Sequence, residues 1–457
     1  MKDDMAKPID ELLSDFAAGD LLPSAAIETA IAAAQSCRAE INAFAEIDAL
    51  GARLAASASD YRYRDRTQRR LEGVPVAVKD LFDTAGVATR YGSPAYSSNV
   101  PSVDADAVRI LREQGVAIVG KTTTHEFAWG VTTASERFGD TLNPWDHDRI
   151  PGGSSGGMAA AIAYGAVSAG LGTDTGGSVR IPASLCGIVG FKPSYGRVST
   201  KGVFPLAPSL DHVGVMGRSV GDVKTVAGAL GIVTETRLQS DRYRLGIVPD
   251  TDDLPISDDV RHSLSQACTI LRRHHDMVQV AGFPSLKRAF EAFAGIVLAE
   301  GGMAHFSRYD REKIHESYGP ETASRLEVAA QTTIGRYADS QRLRREFVGQ
   351  LEIATQDVDF LLLPTCPCTA PMRRTAEITI GSWTGSIREA LMIYTAPFNL
   401  AGLPALSLPI SAGLADGLPV GLQIVAGRGR DNELIAFASE VEKLLGVNTT
   451  YAHLKRR

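Results

Sequence analysis

The sequence predicts an α/β protein folded as a single large domain, with helices covering a largely buried β-sheet. Three observations point there. Short apolar runs such as Val74-Pro75-Val76-Ala77-Val78 alternate with helical patterns in the first half of the chain. Strand signals return near the other end, at Phe360–Leu363, Ala405–Ile410 and Val420–Val425, so late strands complete a sheet begun by early ones. Nothing between them reads as a repeat, a low-complexity tract or a long linker, and 457 residues are ample for one large core.

Taken in order, Ile9, Leu12, Leu13 and Phe16 recur at helical spacing. A second helix is expected from Ser24 to Cys37, with Ser24 as its N-cap. Arg62 to Arg70 is charge-rich and reads as a solvated loop. Val74–Val78 reads as a strand that ends at Lys79-Asp80. Asp104 to Gln114 reads as a helix stopped by Gly115, and Val116–Val119 as the next strand. A helix through Ala159–Tyr164 leads to a buried strand at Val167–Leu171. Residues from about 285 to 355 look helical and charged, with Lys287, Arg288, Arg308, Arg311, Arg325, Arg342, Arg344 and Arg345, and suggest a helical insertion or lobe within the domain. The last helix, Asn432 to Leu445, is amphipathic, with Leu434, Phe437, Val441 and Leu444 on one face.

Composition narrows the function. With 44% hydrophobic and 22% charged residues the chain is an ordinary globular sequence. A formal charge of −6 offers no phosphate-binding surface, which argues against nucleic acid as a direct partner. The start, Met1-Lys2-Asp3-Asp4, carries acids and leads into no apolar run, unlike a signal peptide. The stretch Met158 to Gly172 is too short and too rich in Gly and Ala to span a bilayer. A cytoplasmic protein without membrane contact is expected. The cysteines, Cys37, Cys186, Cys268, Cys366 and Cys368, are odd in number and contain no Cys-x-x-Cys pair, so free buried thiols are expected. No His sits with Asp or Glu at metal-ligand spacing, and the adjacent His274 and His275 would face apart on a helix; no metal site is expected.

Three glycine-rich patterns compete. Gly115-Val116-Ala117-Ile118-Val119-Gly120-Lys121-Thr122 fits the Gly-x4-Gly-Lys-Thr nucleotide-loop pattern letter for letter. Such a loop must curl so that its amides face a phosphate. Val-Ala-Ile-Val prefers an extended strand, and a charged helix with Arg109, Arg112 and Glu113 stands where the preceding strand belongs. Gly152-Gly153-Ser154-Ser155-Gly156 contains the Gly-x-Ser-x-Gly nucleophile elbow, but Asn143–Asp148 is a turn-rich loop where a strand is required, and the late His453 lies in a charged tail. The third pattern is a Ser-Ser-Lys constellation. Pro151–Gly157 is followed, 24 residues after Ser154, by Gly172-Thr173-Asp174-Thr175-Gly176-Gly177-Ser178-Val179-Arg180-Ile181-Pro182, with Val78-Lys79-Asp80 upstream. Either serine segment alone reads equally well as a glycine turn at a helix start; the three segments together do not.

These residues resemble the amidase-signature family over nearly the whole chain. The match is carried by Gly73–Asp80, by Gly120-Lys121-Thr122-Thr123-Thr124-His125-Glu126-Phe127, by Asn143-Pro144-Trp145 and by the segments 151–157 and 172–182. It continues through Gly187–Pro193, Tyr195-Gly196-Arg197, Asn399–Pro404 and Gly417–Gln423. Gly-Lys at positions 120 and 121 is common in that family, which accounts for the nucleotide-loop match. Where family members carry Ser or Ala after the glycine pair, this chain has Met158, a change expected to be peripheral. The resemblance implies the amidase-signature fold, with a mixed central sheet, and hydrolysis of an amide carbon–nitrogen bond without cofactor or metal. It implies Ser178 as nucleophile, Ser154 as proton relay, Lys79 as base, and a cis peptide bond before Ser154. A small-molecule amide is the expected partner and a homodimer the expected assembly.

The chemistry explains the residue types. A serine hydroxyl is a weak nucleophile at neutral pH and needs a base. No histidine occurs in the segments 73–80, 151–157 and 172–182, so a lysine must serve, and only if burial lowers its pKa from about 10.4 to roughly 7–8. The apolar strand before Lys79 is consistent with that. The backbone amides of Thr175, Gly176, Gly177 and Ser178 are the expected oxyanion hole. Trp129, with Gly130 beside it, falls where the family lines its pocket, though a core tryptophan fits equally. Arg180 either meets a substrate carboxylate or, as favoured here, pairs with Asp174 to hold the loop.

The family contains free amidases and the A subunit of the tRNA-dependent glutamyl/aspartyl amidotransferase, a glutaminase. That amidotransferase chain carries Arg-Tyr-Asp-Gly-Val-Arg-Tyr-Gly near its middle. Here Arg308-Tyr309-Asp310 is followed by Arg311-Glu312-Lys313 and departs. Tyr318-Gly319-Pro320-Glu321 and a Tyr-x-x-x-Gln-Arg-x-x-Arg run beginning at Tyr337 resemble free amidases and the biuret- and urea-derivative hydrolases, so a free amidase is expected.

Overall fold

The structure is a computed structural model, and it describes residues 7–234, 238, 240–248, 254–308, 314, 316–412 and 415–446. The acidic start at residues 1–6, the break within 309–313 and His453 lie outside the described residues.

The strands are β1 Phe44–Ile47, β2 Pro75–Lys79, β3 Ala117–Thr122, β4 Ala169–Asp174, β5 Val189–Lys192, β6 His212–Gly217, β7 Arg244–Ile247, β8 Asp276–Gln279, β9 Phe360–Pro364, β10 Glu377–Ile380, β11 Trp383–Ser386, β12 Ala405–Ala412 and β13 Pro419–Ala426. Among the described residues, β10 and β11 form a separate hairpin and the others one 11-stranded sheet in the order β1-β3-β2-β4-β6-β5-β12-β13-β9-β7-β8. The sheet is mixed. The β3-β2-β4 and β9-β7-β8 runs are parallel, while β4 through β9 pair antiparallel. Parallel strands are covered on both faces, which is why their sequences read as continuous apolar runs.

The alternation along β2 sorts its side chains. Val76 and Val78 enter the core beneath the helices Ile9–Ala18, Asp106–Glu113 and Val220–Ala229. Ala77 faces the opposite way, into the cluster formed by the helices Pro23–Ile41 and Gly156–Tyr164. Lys79, two residues on, shares the Ala77 face. Met158 packs in that cluster; its Sδ and Cε stand 2.6 Å from where a Cβ on Gly170 would lie. It is a core side chain that fills the space a glycine leaves.

Several expectations need correction. The second helix begins at Pro23 with Leu22 as N-cap, so Ser24 lies inside the first turn, and proline at the first helical position does the work assigned to a serine cap. The segment from Arg62 is not a free loop. Arg62 and Arg64 end the helix Ala49–Arg64, and Arg69 Nε bonds the buried carboxylate of Glu72 at 2.6 Å. His274 and His275 lie in the turn after the helix Asp258–Leu271, not on it. The expected helical region comprises Leu286–Phe306, Pro320–Ala330 and Ile334–Thr355; it packs through an apolar cluster that includes Phe293, Ile296, Leu326, Phe347 and Leu351, and polar contacts to neighbouring segments add to this. Glu300 accepts from Ser209 N at 2.9 Å and Oγ at 2.6 Å, and Arg344 Nε donates to Leu400 O at 2.8 Å.

The nucleotide-loop match resolves physically. Gly120-Lys121-Thr122 is the end of β3, paired parallel to β2, and the Lys121 side chain is fully buried, 3.5 Å from Asp80. Lys121→Met therefore leaves a carboxylate unpaired in the core. Loss of one partner of a buried pair costs about 3–5 kcal/mol. Urea unfolding should show a large loss of that order, part of it regained in Asp80→Asn/Lys121→Met. Added ATP should leave the wild-type transition unmoved.

Candidate functional site

Lys79 closes β2 with its side chain fully buried. Its Nζ lies 2.7 Å from Ser154 Oγ and 2.7 Å from Thr173 Oγ1 on β4. Burial pushes its pKa well below the usual lysine range, against the opposing pull of Asp174 and Asp211. Ser154 follows a cis peptide bond from Gly153, and its carbonyl accepts from His125 N at 3.3 Å. A Cβ on Gly153 would lie 2.8 Å from Val131 C, so only glycine permits this approach.

Ser155 is occupied elsewhere. Its hydroxyl donates to Thr173 O at 3.2 Å and accepts from Thr173 N at 3.3 Å, tying the start of the helix Gly156–Tyr164 to β4. No strand precedes Gly152; Asn143 and Asp146 form an isolated bridge in a turn. The elbow reading therefore fails on geometry. Ser178 stands two residues before the helix Arg180–Cys186, and its carbonyl accepts from Ser155 N at 3.1 Å. Ser178 is 8% exposed while Lys79 and Ser154 are at 0%, so of the three it is the one substrate can reach.

The loop before Ser178 is held from beneath by Asp174. Its carboxylate accepts from Gly177 N at 2.8 Å, Val179 N at 3.2 Å, Arg180 Nε at 3.0 Å and Asn399 Nδ2 at 2.9 Å. Though burial disfavours the charge, the Arg180 guanidinium holds this carboxyl far below the usual range. Two site expectations are affected: one donor of the expected oxyanion hole is already bonded, and the favoured loop-holding role of Arg180 fits its contacts. The Gly177 amide is already committed to Asp174, which leaves Thr175, Gly176 and Ser178 as the candidate oxyanion donors. The remaining Arg180 donors go to Asp174 Oδ1, Asn399 Oδ1, Gln423 Oε1 and Thr395 O, at 2.6 to 3.0 Å. With every N–H used and no exposure, Arg180 anchors the loop and does not face substrate.

Further partners were not singled out from sequence. Thr395 Oγ1 donates to Gly176 O at 2.7 Å, and Thr175 Oγ1 donates to Asp211 at 2.6 Å. Buried His212 bonds Asp174 O and Leu210 O through Nδ1, and its pKa lies well below the usual imidazole range because burial disfavours its charge. Burial also brings Lys192, 3.3 Å from His212 Nε2, down to about 7. The signal available was polarity in apolar context: Gln423 in Val420-Gly421-Leu422-Gln423-Ile424-Val425 is a polar side chain inside a buried strand.

Trp129 is 1% exposed. It stacks on His305 with ring centroids 5.8 Å apart, and its Nε1 has no hydrogen-bond partner. Gly130 makes room for the His125 ring, which would stand 2.3 Å from a Cβ there. A cavity of about 60 Å³ opens beside Thr173 and Thr175, walled by Ala128, Phe204, Leu206 and Asp211. Among the described residues no group of His, Cys, Asp or Glu could hold a metal ion, and no helix is long and apolar enough to cross a membrane. All five cysteines are free.

Comparison with known proteins shows the family. Residues 25–435 match the family described as Amidase. The chain belongs to the amidase family. Its chemistry is thus that of enzymes acting on amide carbon–nitrogen bonds. Among curated relatives, this amidase is 36% identical over 450 residues to the A subunit of glutamyl-tRNA(Gln) amidotransferase of Roseiflexus castenholzii, with 89% of each chain covered. Among solved structures it is similar to one described as an amidase, at 34% identity and TM-score 0.87, covering 96% of this chain and 99% of the other. A structure described as revealing the evolutionary origins of an s-triazine catabolic enzyme gives 31% identity and TM-score 0.88, covering 97% and 99%. The corresponding glutamyl-tRNA(Gln) amidotransferase chain from Thermotoga maritima gives 28% and 0.77, covering 96% and 95%.

The two roles considered for Arg180 separate by experiment. A loop anchor replaced by lysine loses the planar fork that reaches four partners. Arg180→Lys should lower both the unfolding midpoint and kcat. A raised KM at unchanged stability and kcat would restore the substrate-contact role.

Proposed function

We propose that this amidase is a free-standing hydrolase of a small-molecule amide, working through Ser178, Ser154 and Lys79 and an acyl-enzyme. The observation that carries the proposal is the 2.7 Å contact between a fully buried lysine amine and the Ser154 hydroxyl. Burial without a carboxylate in contact favours the neutral amine, and a neutral amine has a lone pair for a proton. Ser154 gives its proton to Lys79 Nζ as it takes the proton of Ser178. The freed Ser178 Oγ attacks the amide carbon. The oxygen that becomes negative meets the amides of Thr175, Gly176 and Ser178; one such donor is worth ~10²–10³ in rate. The proton then returns through Ser154 to the leaving nitrogen, the carbon–nitrogen bond breaks, and Ser178 carries the acyl group. Water repeats the relay in the same direction and releases the acid.

The glutaminase chain of an amidotransferase remains a second reading, supported by the curated relatives at 34–36% identity. A free amidase is favoured by higher fold similarity to structures described as an amidase and an s-triazine enzyme relative, 0.87 and 0.88 against 0.77. Purified alone, the enzyme should hydrolyse members of a panel of aliphatic, aryl, ureido and hydrazide amides. Hydrolysis of glutamine to the exclusion of that panel would favour the amidotransferase reading. A sulfonyl fluoride probe should label Ser178 and no other residue.

The base assignment has a sign that can be checked. Only neutral Lys79 accepts a proton, so kcat/KM should rise with pH through its lowered pKa and then level off. Arginine stays charged at working pH. Lys79→Arg should therefore remain folded and lose at least ~10²-fold in kcat, the scale of general base catalysis. A wild-type kcat in that variant would leave Lys79 a structural cation.

A further inference from the structure

Beside the site lies a group of charges that the proposed relay leaves unused. Glu321 and Arg325 come from the helix Pro320–Ala330, Arg388 from the helix Ile387–Met392, and His125 from the loop after β3. Glu321 is already shared: its Oε2 lies 3.1 Å from His125 Nε2, and it also accepts from Arg325. Arg325 nevertheless keeps its Nη1 buried without a partner. Arg388, partly buried, forms no hydrogen bond or ion pair among the described residues and feels Arg325 as a repelling neighbour. Two guanidiniums thus face one carboxylate, and one positive charge is left uncompensated. Burial, with repulsion from Arg325, pushes Arg388 down to about 9 against the pull of Glu321.

The group is joined to the site at both ends. His125 N donates to the carbonyl of Ser154 at 3.3 Å. Met392, one turn along the helix from Arg388 and on the same face, has its Cε 2.8 Å from where a Cβ on Gly176 would lie. The helix that carries Arg388 thus packs on the oxyanion loop, and the histidine that meets Glu321 is bonded to the serine loop.

We propose that Arg388, with Arg325, forms an anion subsite that selects amides whose acyl chain ends in a carboxylate. This rests on the amidase reading of the same site and gives it a substrate class. A guanidinium presents two parallel donors that match a carboxylate, and two guanidiniums can hold both of its oxygens. One uncompensated charge suits a monoanionic carboxylate better than a phosphate dianion. Arg388 acts here as a specificity-determining residue remote from the reacting atoms.

The test pairs the monoamides of succinic, glutaric and adipic acids with the neutral amides of equal chain length. The wild-type enzyme should prefer the anionic member of at least one pair in kcat/KM. In Arg388→Gln that preference should fall about 10- to 100-fold, the scale of a charge-assisted contact. Arg388→Lys should recover part of it, and Arg388→Glu should invert it. A direct measurement runs beside the kinetics. Calorimetry of the Ser178→Ala enzyme with succinate, glutarate and adipate should detect binding that Ser178→Ala/Arg388→Gln loses. An unchanged anionic preference in Arg388→Gln, or dicarboxylate binding that is absent or indifferent to Arg388, overturns the subsite. Failure of the amidase reading looks different: no amide of either kind is turned over, while dicarboxylate binding still depends on Arg388.

Discussion

The structure turns on how a lysine amine is taken out of water. Three lysines are fully buried near the site, and their surroundings separate them. Burial lowers Lys121 to about 8, against the pull of Asp80 at 3.5 Å, and the lysine also donates to Phe82 O and Thr89 Oγ1. Lys192 donates to two carbonyls and sits near about 7. Lys79 has only hydroxyls in contact, and the acids that favour its charge, Asp174 and Asp211, act from beyond hydrogen-bond range. A hydroxyl solvates an ammonium far less well than a carboxylate does. Neighbouring strands thus carry one lysine that stays a structural cation and one prepared to be neutral, although the register sets Lys121 beside Val78, next to Lys79 in sequence.

A neutral base requires the surrounding loop to be held without placing a carboxylate against it. Asp174 meets that condition. Its charge is spent on Arg180, on backbone amides and on Asn399, so it fixes the 174–180 turn while its oxygens stay occupied. The Gly176–Gly177 peptide is gripped on both sides, its carbonyl by Thr395 and its N–H by Asp174. A Cβ at Gly176 would stand 2.3 Å from Phe293 Cζ, and Gly177 has φ +131°. Both positions require glycine, one for space and one for backbone shape. Breaking such a buried pair on one side is costly, which is why the anchor and the loop depend on each other.

Much of this was legible in the sequence, and the reasons differ by element. The β2 and β3 strands were visible because both faces are covered and every residue before the buried lysine of each is apolar or glycine. The serine segments were visible because glycines crowd where backbone must approach backbone. The sheet's middle was not: β5 and β6 are Gly-interrupted runs, Val189–Lys192 and His212–Gly217, whose pairing is set by long-range antiparallel contacts. The nitrogen-by-nitrogen use of Arg180 was equally hidden, since its partners Thr395, Asn399 and Gln423 arrive from more than two hundred residues away. Local spacing identifies a loop that needs an anchor; it does not say which donors are already taken. That is also why the Gly177 amide was expected among the oxyanion donors although it already donates to Asp174.

The base and the charged group at the acyl end constrain one another. A bare carboxylate brought to about 10 Å from Lys79 would, at an effective dielectric of about 20, favour the protonated lysine by roughly 1.7 kcal/mol, a little over one pKa unit. Substrate binding would then partly disarm the base it depends on. A carboxylate neutralised by a guanidinium pair presents a much weaker field to the lysine. Arg325 and Arg388 therefore do more than attract an anion: they keep its charge from reaching Lys79. Glu321, held by His125 and Arg325, limits the excess positive charge in the empty site to a single unit. Binding a monoanion then takes the site from one excess positive charge to none and never to a net negative charge, so neither state adds to the pull of Asp174 and Asp211 toward the protonated lysine.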